Sequence, residues 1–145
     1  MNPSLSSHRP PGVTALACFF LFGTLASGIA AVSLLTPGGP LDPVWRLNPR
    51  GHEGFVHMGV WAPVLMSVVC LACGASAYGF FTGQRWGYRL GIAHLLVNLT
   101  GDVANAALGI ERRALIGVPV AALLLWYLST NRVKGFFGAA APDAA

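Results

Sequence analysis

Four polar residues recur at helical spacing inside one apolar stretch: His94, Asn98, Asp102 and Asn105. At roughly 100° per residue they share an arc of about 80°. Gly91 and Gly101 lie on or beside that arc, and Leu95, Leu96, Leu99, Val103, Ala106 and Ala107 occupy the opposite face. Asp102 carries the sharpest chemistry. No lysine or arginine lies within any apolar segment to neutralise it. Its carboxyl must therefore be neutral, hydrated, or hydrogen-bonded by Asn98 and Asn105 one turn away. Two roles follow. Asp102 could take up and release a proton coupled to movement of a small solute or ion. Alternatively, the four residues form a polar network that locks helix packing or meets another subunit, which is the commoner use of such residues.

A second stripe is made of sulfur. Met66, Cys70 and Cys73 are spaced i, i+4, i+7 on one helical face. Thiolate and thioether are soft donors that suit Cu(I). Buried cysteine also behaves as a small hydrophobe, and a thiol deep in a membrane resists ionisation. Packing is therefore the expected role, with no cofactor and no metal. Cys70-Leu71-Ala72-Cys73 resembles the redox motif of quinone-linked thiol oxidoreductases such as the vitamin K epoxide reductases, over four residues only. The loops lack the partner cysteines such enzymes use.

The histidines carry less. His52-Glu53-Gly54-Phe55-Val56-His57 has one residue too many for the zinc-protease HExxH motif, which sets its histidines about 140° apart on a helix. Glu53 and His57 are expected as a solvated pair at the membrane surface. Serine–histidine triads, phosphate loops and nucleotide fingerprints are missing from the sequence, so the expectation is not an enzyme.

The elements that position these residues follow from composition. Of 145 residues, 54% are hydrophobic and 10% charged, with a mean hydropathy of +0.62. An ordinary soluble domain is roughly a quarter charged. A soluble globular enzyme and a disordered chain are thereby excluded. Three cysteines, an odd number outside polar loops, exclude a disulfide scaffold. The net charge of +4 is not clustered, which argues against a nucleic-acid partner.

Four apolar segments then predict an all-α, integral membrane four-helix up-down bundle over residues 13–137. The spans fall at about 13–35, 56–81, 90–110 and 114–131, between a mobile tail at 1–12 and a disordered one at 138–145. The first span runs for 23 uncharged residues. At 1.5 Å per residue that covers the ~30 Å hydrocarbon core. In the first loop, Asp42-Pro43 predicts an N-cap and a short interfacial helix anchored by Trp45 and Arg46, stopped at Asn48-Pro49. Arg85, Trp86 and Arg89 are the residue types expected at a headgroup boundary. Glu111-Arg112-Arg113 is expected as a tight turn, and Phe136-Phe137 as interfacial. Arg9, Arg85, Arg89, Arg132 and Lys134 fall on one side of this topology, against Arg46, Arg50, Arg112 and Arg113 on the other. The balance favours both termini in the cytoplasm.

Gly23, Ser27 and Ala31 at four-residue spacing, with Cys73, Ala77 and Gly79 on the next span, should let helices approach closely. The expected partners are the lipid bilayer and a second membrane-embedded chain, as a homo-oligomer or in a complex. The segments Leu41-Asp42-Pro43-Val44-Trp45-Arg46-Leu47-Asn48-Pro49, Arg85-Trp86-Gly87-Tyr88-Arg89 and Asn98-Leu99-Thr100-Gly101-Asp102 resemble those of uncharacterised small four-span bacterial inner-membrane proteins. That resemblance implies a bacterial inner-membrane setting and no activity. The most direct expectation is a structural or accessory membrane component. A small proton-linked transporter or channel subunit using Asp102 is the first alternative, and a redox or soft-metal protein using Cys70 and Cys73 the second.

Overall fold

A computed structural model describes residues 9–107 and 114–139. Among these residues the chain is helical, with no strand. The elements are α1 (Pro11–Leu35), a short 3-10 helix (Asp42–Leu47), α2 (Pro49–Met58), α3 (Trp61–Thr82), α4 (Arg85–Ala107), α5 (Ala114–Ser129) and α6 (Asn131–Ala139). Two of them, α1 and α3, are long and apolar enough to cross a membrane. The pair α5 and α6, bent by 59° at its break, would make a third crossing if it acts as one span. α4 has the length, at 23 residues, but its polar residues keep it out of that apolar class.

Several hydroxyl side chains do not disturb the long helices, because they turn back on their own helix. Thr24 donates to the Phe20 carbonyl at 2.9 Å, Ser27 to Gly23 at 2.6 Å, Ser67 to Pro63 at 2.8 Å and Thr100 to Leu96 at 2.8 Å. Satisfying these groups within the helix is what a nonaqueous surrounding demands.

The chain divides into two compact units. One holds residues 20–74; the other holds residues 9–19 with the described residues from 75 onward. In the first, α1 and α3 run antiparallel. Cys73 lies against Gly23 and Cys70 against Gly28, so that a Cβ on those glycines would stand 3.1 and 3.4 Å from the two sulfurs. The Cys70 thiol donates to the Thr24 carbonyl at 3.3 Å. The chain leaving α1 is held by Ser33. The Trp45 indole donates to its hydroxyl at 2.8 Å, and that hydroxyl donates to Asp42 Oδ1 at 3.2 Å. Asp42 Oδ2 accepts from the Gly38 amide at 2.5 Å.

The second unit is built on a glycine contact. α3 ends in a turn in which Gln84 N donates to Gly79 O at 2.8 Å and Gly83 takes φ +70°, a left-handed cap that favours glycine. α4 then returns so tightly that Gly79 and Gly87 meet backbone to backbone; a Cβ on either would overlap the other's Cα. Phe80, Leu95, Leu128, Val133 and Phe137 form the buried core of this unit. The ring of Phe137 lies edge-on to Phe80 at 5.5 Å and stacks on Tyr88 at 5.0 Å.

Several boundaries differ from the sequence reading. The predicted second span at 56–81 is two helices. Gly59 adopts φ +57° and ψ −132°, which no helix contains, and its backbone closes the turn through Gly59 N to Val56 O and Ala62 N to Gly59 O. Residues 56–58 therefore belong to α2. Asn48-Pro49 stops the 3-10 helix and also starts α2: the Asn48 side chain accepts from Gly51 N, and Pro49 occupies the first turn, where its missing N–H costs nothing. Asp42 does not cap the 3-10 helix; its carboxylate reaches back to Gly38 and Ser33. Phe137, expected on the membrane interface, is 1% exposed. The helix around it reaches Ala139, into the stretch expected as a tail. The expected turn at 111–113, the end of the third span and the extremities of both tails lie outside the described residues.

Candidate functional site

The helix α4 begins at Arg85, a full turn before the predicted start, because Gly87 docks on Gly79 and Tyr88 is tied down. The Tyr88 hydroxyl donates to the Leu128 carbonyl near the end of α5, at 2.9 Å. Arg85 Nε donates to Phe137 O at 3.0 Å and its Nη2 to Gly138 O at 3.1 Å. A guanidinium on the last carbonyls of α6 satisfies orphan acceptors and matches the helix dipole. Arg85 thus serves the fold of its own chain at the place where a headgroup anchor was expected. These contacts fix α4 against α5 and α6, and so fix the rotation of the polar stripe.

That rotation separates the stripe into two parts. Asp102 is half-buried and turns toward α5, while Asn98 and Asn105 are exposed and His94 is half-buried. Asp102 lies directly over Gly117 of α5, where a Cβ would strike its carboxylate. The carboxylate makes no hydrogen bond or ion pair among the described residues. Asp102, Asn98 and Gly117 line an open groove of about 270 Å³ whose other walls include Leu95, Val120 and Leu124. Among the described residues no lysine or arginine lines it. A second groove of about 260 Å³, between Leu16, Leu123 and Trp126, is apolar apart from Tyr127. The structure therefore brings Asn98 and Asp102 together in one groove. Gly117 is the residue that sequence reasoning missed: one more glycine in an apolar run gives no sign that a carboxylate sits over it.

Two members of the sulfur stripe pack against glycines of α1. Cys70 and Cys73 occupy the spaces left by Gly28 and Gly23, Met66 is half-buried, and Cys18 is exposed. Among the described residues no three His, Cys, Asp or Glu side chains gather as metal ligands do.

The anchors expected at the membrane surface are divided. Trp45 is turned inward to Ser33, and its ring stacks on His52 at 4.7 Å with 11° between planes. Arg46 and Arg89 are exposed. Trp86, 46% exposed, stacks on Tyr78 at 6.4 Å. The Glu53–His57 pair is joined through the main chain: His57 Nδ1 donates to the Glu53 carbonyl at 2.7 Å. Comparison with known proteins finds no matching family model, no matching curated protein and no matching solved structure.

Proposed function

We propose that this chain is a multi-pass protein of the bacterial inner membrane, a four-helix up-down bundle of α1, α3, α4 and α5 with both termini cytoplasmic. It acts as a structural or accessory component that associates with another membrane-embedded chain and catalyses no reaction. One observation carries this reading: Asn98, Gly101 and Asn105 form an open face on α4. The two amides are exposed, and a Cβ added at Gly101 would meet nothing within 4 Å among the described residues. In lipid, amides on such a face lack hydrogen-bond partners until another helix supplies them, and a glycine between them lets that helix come close. Each interhelical hydrogen bond of this kind contributes about 0.6 kcal/mol, and up to about 2 in the best cases. Large apolar side chains elsewhere on the surface, such as Phe22, Leu71 and Trp126, are 69–74% exposed and suit contact with lipid tails.

Subunit counting in native membrane nanodiscs tests the proposal. The wild-type chain should occur with a second copy or with a discrete partner, and Asn98→Leu with Asn105→Leu should reduce that association several-fold. A chain found alone in both forms would end it.

A further inference from the structure

The open face of α4 does not use Asp102, which lies toward α5. We infer that the groove around Asp102 is a binding site for a small protonated primary amine with an apolar body. The site goes beyond the association reading and shares only Asn98, on the rim of the groove, with its face.

Three features of the groove define the ligand. Its walls are apolar, from Leu95, Val120 and Leu124, so the body of the ligand must be hydrocarbon. Among the described residues its one ionisable group is a carboxylate, with no lysine or arginine beside it, so the complementary charge is one positive charge. Asn98 and Asp102 both line it and stand one turn apart on α4, which offers an ammonium a carboxylate oxygen and an amide oxygen side by side. An ammonium has three donors to place there. A quaternary cation has none, and a neutral alcohol cannot pair with the charge.

The size of the groove sets the remaining limit. At about 270 Å³ it falls just below the ~300–1,000 Å³ of pockets that enclose drug-sized ligands. The ligand is therefore small: one ring or a short branched chain attached to the amine. Gly117 is part of the design, because a side chain at that position would take the space of the carboxylate itself.

The probe is radiolabelled 2-phenylethylammonium, bound at equilibrium to the full chain in phosphatidylcholine nanodiscs, with empty nanodiscs as the partition blank. Saturable binding above the blank is expected. It should weaken at least about tenfold in Asp102→Asn, the loss of one charge-assisted contact. It should weaken as much in Val120→Trp, which fills the groove and leaves the carboxylate in place. Should Asp102→Asn fail to fold, the Val120→Trp variant and competition by 2-phenylethanol decide alone. Binding no greater than the blank, equal displacement by the alcohol, or full binding by Val120→Trp would overturn the site. Repeating the measurement with phosphatidylethanolamine in the nanodisc separates sources of ammonium. Unchanged binding supports a free amine, and binding abolished by that lipid assigns the groove to a headgroup and overturns the free-ligand proposal.

Discussion

The carboxylate of Asp102 rests on the backbone of Gly117, so one acidic side chain and one missing side chain together shape the contact between α4 and α5. The oxygen that meets Gly117 is the far end of a short side chain. Two rotatable bonds connect it to the backbone of α4, so the carboxylate is the part expected to give way. Gly117→Ala should therefore change the groove more than the fold: thermal stability in detergent should shift by less than about 1 kcal/mol, while amine binding falls several-fold. Equal losses of stability and binding would show that the carboxylate cannot turn.

The contact between Gly79 and Gly87 should behave differently. Both partners are main chain, so nothing at the contact can rotate out of the way. Gly79→Ala and Gly87→Ala should each destabilise the protein by about 1–3 kcal/mol, the usual range for overpacking, even though alanine is the better helix former. Denaturation followed by circular dichroism reads this directly, and a neutral or stabilising alanine at either site would contradict the close approach.

Gly59 offers a test of the corner between α2 and α3. At φ +57° and ψ −132° an L side chain is strained, and Gly59→Ala should cost about 1–3 kcal/mol. Space is not the cause, since a Cβ there meets nothing within 4 Å. Gly54→Ala, at an open site inside α2, is the matched control: it should leave stability unchanged or raise it slightly.

Arg85 holds the end of α6 through two carbonyls. Arg85→Met keeps much of the stem and removes the donors. Amide exchange within α6 should accelerate, with a loss of about 1–3 kcal/mol for hydrogen bonds from a charged group. Exchange in α1 should stay as it was.

How far the sequence foretold this arrangement depended on whether the signal was local. α1 was legible because an uncharged apolar run of that length has one good solution. The arc of His94, Asn98, Asp102 and Asn105 was legible from helical spacing. Gly59 was not, because it sits among Val56, Met58, Val60 and Trp61, and hydropathy passes through the corner without a dip. The early start of α4 was also hidden. Arg85 and Arg89 read as loop charges, and only the docking of Gly87 on Gly79 and the bond from Tyr88 to Leu128 make that turn helical. The division of the polar stripe, with Asp102 toward α5, Asn105 outward and Asn98 on the rim of the groove between them, follows from those same long-range contacts.

Two helices that touch through bare backbone, as α3 and α4 do at Gly79 and Gly87, have no interlocking teeth at that point. Such a contact resists separation but offers little resistance to twisting, as a smooth bearing does. The angular setting of α4 is therefore assigned to other parts: Tyr88 on the end of α5, Arg85 on the end of α6 and Trp86 stacked on Tyr78 act as stops. Proximity and orientation are thus set by different residues. Losing Tyr88 or Arg85 would leave the hairpin closed and let the heading of Asp102 wander.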